Sequence, residues 1–172
     1  MLDLISQTLS GINDNLTEIF QPDVNILDPP VLRRLSDLVN SLGTTGPLYS
    51  ALSLTLAQAR TLDTILSTTE SEALIRNLNN DIVQSYSELL DGLNSRKSQL
   101  VQASAEGIAT NVLGATTLIK GIFNNLNLGL RRQIDLNNYL VRIIDPTYRL
   151  QAIQVTTAMQ VLLNISIDIF RP

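Results

Sequence analysis

Apolar residues in this chain return at steps of three and four, segment after segment, and that spacing selects α-helices packed against one another. In the first segment Ile5, Leu9, Ile12, Leu16 and Ile19 fall within about 80° of arc, a single narrow seam. A helix with such a seam has to shelter it against other helices. Pro22 and Asp28-Pro29-Pro30 close this helix and open a second, because Asp28 suits the N-cap and Pro29 the first helical position. The second helix runs to about Leu42 and turns Val31, Leu35, Leu38 and Leu42 inward. Gly43-Thr44-Thr45-Gly46-Pro47 makes a turn. A third helix then carries Leu48, Leu52, Ala59, Leu62 and Leu66 on one side and ends near Ser67-Thr68.

Thr69 and Glu72 have the spacing of a capping box, in which each side chain satisfies a free amide at the other's position. They open a fourth helix that runs past Leu100. Leu74, Ile75, Leu78, Ile82, Tyr86, Leu89 and Leu93 form its apolar band, about 120° wide and broadened by Val83 and Leu90, so it touches more than one neighbour. A fifth stretch shows Ile108, Val112, Ala115, Ile119, Ile122, Phe123 and Leu126; the spacing leaves open whether it continues the fourth or follows a break near Ala105-Glu106-Gly107. Asn124 to Gly129 is turn-like, and Leu130 to Ile144 is a less regular helix with Ile134, Leu140, Val141 and Ile144. Asp145-Pro146 repeats the cap-plus-proline start and opens a last helix, apolar on most of its surface and therefore expected to be the most enclosed. The expectation is an all-α chain over residues 1–172, one bundle of five or six amphipathic helices. Periodicity does not decide whether its interior is filled or holds an elongated apolar cavity.

At 172 residues such a bundle buries about 70% of its unfolded surface without any staple. The chain has neither histidine nor cysteine. That removes Ser-His-Asp and Cys-His catalysis, the usual zinc sites and histidine-containing di-iron sites, each of which needs an imidazole or a thiolate. The acids lie scattered on polar faces, no phosphate-binding loop is present, and no cofactor is implied. With a net charge of −4 and lysine only at Lys97 and Lys120, nucleic acid is a poor partner. Charged residues make up 16% of the chain, so its polar surface is mostly Ser, Thr, Asn and Gln, a composition at home outside cells or beside an apolar phase. The charge-free run from Leu150 to Ile167 is nearly long enough to cross a bilayer, but Gln151, Gln154, Gln160 and Asn164 favour a helix buried in protein over a transmembrane segment. An acid at Asp3 stands where a signal peptide carries basic residues, so no targeting segment is visible.

Four features carry a structural and a functional reading side by side. Gly107, Gly114 and Gly121 recur at sevens, which suits close helix packing or a groove where an acyl chain meets bare backbone. Arg96 and Lys97 fall at the apolar side of the fourth helix, where their stems cover apolar surface or their charges neutralise a ligand carboxylate. Tyr86 and Tyr148 offer hydroxyl groups at the margin of the interior. Asn15-Leu16-Thr17 and Asn164-Ile165-Ser166 match the N-glycosylation sequon.

Residues from about Thr61 to Phe170 resemble the fungal hydrophobic-surface-binding and cell-wall galactomannoprotein family. The resemblance is carried by Thr69-Glu70-Ser71-Glu72-Ala73, by the basic pair in Leu93-Asn94-Ser95-Arg96-Lys97, by Ala103-Ser104-Ala105-Glu106-Gly107 leading into Val112-Leu113, and by the uncharged last helix. It implies a secreted or cell-wall helical bundle that adsorbs to hydrophobic surfaces, some relatives holding fatty acids in a long central cavity. The chain departs from the family pattern in showing no signal peptide and no Ser/Thr-rich anchoring tail. On this reading the function is non-enzymatic binding of lipid or of a hydrophobic surface, with the ligand between the fourth, fifth and last helices. Ile82, Tyr86, Leu89, Val112, Ile119, Phe123, Val155, Met159 and Leu162 are the candidate lining, with Arg96 and Lys97 as carboxylate contacts. The alternative is a structural or protein-interaction module with a filled core and an exposed apolar patch.

Overall fold

A computed structural model describes residues 2–62, 64–112 and 117–171. These residues form no strand and seven helices, more than the five or six expected, because the fourth and fifth apolar stretches are each interrupted by a break in the helix. We label them α1 (Asp3–Ile19), α2 (Pro29–Ser41), α3 (Pro47–Ala59), α4 (Thr68–Ser95), α5 (Lys97–Ala109), α6 (Leu118–Ile143) and α7 (Arg149–Ile169). The middle of α4, Leu78–Val83, is wound as a π-helix between the α-helical stretches Thr68–Asn77 and Gln84–Ser95. A short 3₁₀ turn, Pro146–Tyr148, leads into α7.

The apolar seam of α1 is buried as its spacing predicts, with Ile5, Leu9, Ile12, Leu16 and Ile19 all in the core. Asp28 and Pro29 start α2 as expected, although that helix buries Leu32, Leu35, Leu38 and Val39 while Val31 is only half-buried. Several boundaries differ from the sequence reading. α3 stops at Ala59, not near Ser67. Beyond it, Leu66 N–H donates to the Ile143 carbonyl (2.7 Å) and the Tyr139 hydroxyl donates to the Leu62 carbonyl (3.3 Å). The segment is thus tied to the end of α6, and Leu62 and Leu66 reach the core from a loop.

The capping box forms at Ser67 and Glu70, not at Thr69 and Glu72. Both pairs have the right spacing. The upstream pair prevails as Ser71, fully buried, already lies inside the helix and accepts a hydrogen bond from Asp145 N–H (2.9 Å). α4 ends at Ser95, short of the expected Leu100, and the chain bends at Arg96 into α5. α5 closes beyond Ala105-Glu106-Gly107: Asn111 adopts φ 56°, its N–H bonds the Ile108 carbonyl, and Val112 N–H bonds the Gly107 carbonyl. That is a Schellman termination with asparagine in the left-handed position, a role its short polar side chain tolerates. Asn124 to Gly129 is not a turn; it lies within the 26 residues of α6. Leu126 and Leu130 are buried there, and Asn125 Nδ2 donates to the Val39 carbonyl of α2 (2.7 Å), so burial outweighs the turn preference of Asn and Gly.

Five of the helices close a ring. α1 packs against α3, α3 against α6, α6 against α7, α7 against α4, and α4 against α1. α2 lies outside this ring on α1 and α6, and α5 lies on α6. Gly121 permits the approach of α2: a Cβ there would stand 2.7 Å from Val39 Cγ1, so the close-packing reading of that glycine holds. Gly107 is buried on α5, and Gly114 is outside the described residues.

Two glycines make opposite predictions. At Gly46 a Cβ would collide with the Asn40 and Ser41 carbonyl oxygens, whereas at Gly129, inside α6, it would meet nothing within 4 Å. Gly46→Ala should therefore destabilise the fold by about 1–3 kcal/mol, and Gly129→Ala should stabilise it by about 0.5–1 kcal/mol; thermal melts of both variants check this. At the helix starts, the Ser67 hydroxyl and backbone N–H hold the Glu70 carboxyl below its ordinary range, and Thr147 does the same for Asp145. Their stabilisation is complete above the ordinary carboxylate range and is lost as pH falls through the depressed folded values. NMR titration should find both groups low, and Ser67→Ala, which removes the hydroxyl but keeps the backbone N–H, should raise Glu70 part of the way toward the ordinary range.

Candidate functional site

Helices in contact stand about 8–10 Å apart, so a ring of five leaves its opposite members about 15 Å apart across the axis. Only long side chains reach over that gap. Tyr86 of α4 and Gln133 of α6 do so, the phenol donating to Gln133 Oε1 at 3.2 Å. Gln133 Nε2 donates in turn to Asn137 Oδ1, one turn along α6, at 2.8 Å. All three side chains are buried, at 2%, 0% and 1% exposure. The chain of bonds ends at Asn137 Nδ2, a buried donor with no hydrogen-bond partner. An unmet donor in a dry interior is costly, by about 1–3 kcal/mol. Burial pushes the Tyr86 phenol well above its ordinary pKa, so it remains an O–H donor.

Of the nine residues proposed from the sequence, the structure brings Ile82, Tyr86, Leu89 and Met159 into the core, from α4 and α7. Val112, Ile119, Phe123, Val155 and Leu162 are half-buried around it. The last three open onto separate surface clefts: Val155 onto one beside Glu72, Arg76 and Gln151, Phe123 onto one beside Asn127 and Arg131, and Leu162 onto a groove along α7. The nine therefore do not line one space. Arg96 stacks over the Phe20 ring at 5.1 Å and donates to the Gly92 carbonyl, while Lys97 Nζ donates to the Ile169 carbonyl at the end of α7. Both cations are thus half-buried structural groups that cover apolar surface and cap a helix, and neither stands at the axis. Tyr148 is half-buried on the 3₁₀ turn.

Gln133 and Asn137 were not among the residues singled out from the sequence. Their signal is nonetheless present: they occupy the inward positions of the stripe Leu126, Leu130, Gln133, Asn137, Leu140, where an apolar residue is the default. A polar pair one turn apart in such a stripe marks a buried polar site.

The last helix corrects the expectation that it is the most enclosed. Its inner side buries Ala152, Thr156, Met159, Leu163 and Ile167, yet Leu150 is 69% exposed, and Ile153, Val161 and Ile165 about half exposed. Together with its 3₁₀ turn it is long and apolar enough to cross a membrane, and only 33% of that apolar window is buried. Ile153, Gln154, Thr157, Ala158, Val161 and Leu162 border an open groove of about 600 Å³ on its outer side.

Tyr86→Phe should destabilise the bundle by about 1–3 kcal/mol, because Gln133 Oε1 loses its donor. Replacing the whole set (Tyr86→Phe, Gln133→Met, Asn137→Leu) leaves no polar group of the set unpaired and should melt above the single variant. Urea denaturation of the two proteins gives the comparison, and equal stability of the single variant and the native chain would mean that water reaches the axis.

No protein-family model matches the sequence, and no curated protein matches it. Among solved structures, Afmp4p crystallised in complex with palmitic acid is similar to it with a TM-score of 0.69 at 17% identity, over 99% of this chain and 100% of that one. Ligand binding domain 2 of the Penicillium marneffei MP1 protein, complexed with multiple arachidonic acids, is similar with a TM-score of 0.61 at 20% identity, over 98% of this chain and 90% of that one. The chain has the helical fold of these two fatty-acid complexes, and at the level of fold the fungal resemblance read from its sequence holds.

Proposed function

We propose that this chain binds a long-chain fatty acid along the axis of its five-helix ring, without catalysing a reaction. The observation that carries the reading is the polar chain Tyr86–Gln133–Asn137, which ends at the axis in an amide N–H with nothing to donate to. A carboxyl oxygen would satisfy that donor. The fold shared with two fatty-acid complexes supports the same use. In the described structure Ile82, Leu89 and Met159 are buried in the same core. A ligand enters by widening the ring and displacing these contacts, helped by the unbranched, adaptable Met159. Sheltering an acyl chain contributes roughly 10 kcal/mol before the costs of association and of opening the core are subtracted. Among the described residues no arginine or lysine is buried at the axis to receive a carboxylate, so the donors that meet the head group are neutral. The reading places the protein outside the cell or in its wall; Asn15 and Asn164, at the two sequons, are both exposed and open to glycosylation.

A second reading, attachment of the intact, filled bundle to an apolar partner, is favoured by one observation: the exposed apolar side of α7.

Native mass spectrometry after gentle purification should find fatty acid bound, and delipidated protein should take up palmitic or arachidonic acid. The triple variant Tyr86→Phe, Gln133→Met, Asn137→Leu should keep its helical fold and bind at least about tenfold more weakly, the worth of one lost hydrogen bond. Absence of both bound lipid and uptake would overturn the reading, and undiminished affinity in the apolar variant would move the ligand away from the axis.

A further inference from the structure

The π turn of α4, Leu78–Val83, holds one residue more than an α-helix would, with its backbone bonds reaching to the fifth residue. Its sequence explains the winding. Leu78, Ile82 and Tyr86 follow one another at two steps of four, a drift of about 80° in an α-helix, and the wider turn keeps all three buried. Single π turns inside α-helices gather at functional sites.

α4 and α7 are pinned to one another at both ends and parted beside this turn. At one end the Thr68 hydroxyl donates to Asp145 Oδ2 (3.3 Å) and Asp145 N–H donates to Ser71 Oγ (2.9 Å), shortly before α7 begins. At the other, Asn94 Nδ2 donates to Ser166 Oγ (3.0 Å). The two helices therefore run in the same direction, and among the described residues no side-chain hydrogen bond or ion pair joins them between these pins. A cleft of about 470 Å³ opens there. Its rim is exposed and polar, with Arg76 and Asn80 on α4 and Gln151 and Gln154 on α7, while Ile75 and Val155 beneath are apolar and at least half-buried. The groove on the outer side of α7 and the cleft beside Phe123 border one helix each; this one lies between two neighbours of the ring.

We propose that this seam is the portal by which an acyl ligand reaches the axis: α4 bows at its π turn, α4 and α7 part at the cleft, and the pins at either end hold the ring closed elsewhere. The portal rests on the fatty-acid reading and adds the route to it. A yielding turn between fixed ends opens one seam without unwinding the bundle. The polar rim keeps its water in either state, and the apolar residues beneath it lead to Leu78 and Ile82 on the inward side of the turn. Tyr86 stands one turn further along α4, so the passage ends beside the polar chain that meets the head group.

The chain has no cysteine, so an introduced pair of thiols reacts alone. Asn80→Cys with Gln154→Cys, joined across the cleft by a reducible bis-methanethiosulfonate linker, closes the seam. Stopped-flow uptake of the fluorescent fatty acid cis-parinaric acid by the delipidated protein should slow at least about tenfold with the link in place and recover on reduction. The same link between Asn15→Cys and Asp37→Cys, across the α1–α2 cleft outside the ring, should leave the rate unchanged. Deletion of Asn80, exposed in the π turn, lets α4 wind as one α-helix; it should melt no lower than the native chain and take up the probe as slowly as the linked protein. Native-rate uptake in the linked protein, or equal slowing by the control link, would overturn the portal and leave the fatty-acid reading standing. A folded deletion variant with native-rate uptake would remove the π turn from the route and overturn the proposal as well. Absence of uptake by the unmodified chain would overturn the fatty-acid reading and the portal together.

Discussion

Five apolar seams can be satisfied together only if their helices close around a shared axis, and the closure of α1, α3, α6, α7 and α4 is the constraint from which the rest follows. A ring of five is wider than a four-helix bundle. The gap has to be bridged, filled or left empty. Here it is bridged by Tyr86 and Gln133, and Ile82, Leu89 and Met159 are buried in the same core.

Bridging with polar groups sets a condition that apolar filling does not. Each buried donor and acceptor must meet a partner, and the set on α4 and α6 falls one short, at Asn137 Nδ2. The ring is thus closed by a contact that holds its two sides together and leaves one demand unmet at its centre. A core made only of aliphatic side chains would tolerate any apolar occupant; one donor at a fixed depth favours an occupant with an oxygen at one end. Few bulky aromatics stand in the way, since Tyr86 and Phe170 are the only aromatic side chains wholly buried among the described residues.

The same geometry explains why α7 is apolar on two sides. Its inner side faces α4 and α6 and buries Met159 and Leu163, as the ring requires. Nothing in the ring requires the outer side to be apolar as well, because α2 and α5 cover other helices. The packing of this chain therefore leaves the outer Leu150, Ile153, Val161 and Ile165 uncovered. The break at Arg96 has its own logic in the same corner: Lys97, carried by that bend, caps the last turn of α7 and offsets its exposed carbonyl groups.

By itself the sequence determined what depends on neighbours within a turn or two. The seam of α1, the proline starts at Pro29 and Pro146, the loss of imidazole and thiol chemistry, and the all-helical class are all read from spacing and residue type, because a helix's inner face repeats every 3.6 residues whatever surrounds it. Tertiary structure decided whatever depends on partners distant in sequence. Leu62 and Leu66 continue the rhythm of α3 yet sit in a loop, since the end of α6 takes their backbone bonds. Asn124 to Gly129 has the composition of a turn yet stays helical, since α2 accepts Asn125 and the core takes Leu126. Four of the nine proposed lining residues share the core, but which of two apolar sides of α7 faces inward is a property of the ring and cannot be seen in a helix that is apolar all round. Local spacing fixes where a helix can hide its oily residues; only the packing of the other helices fixes which of them stay in view.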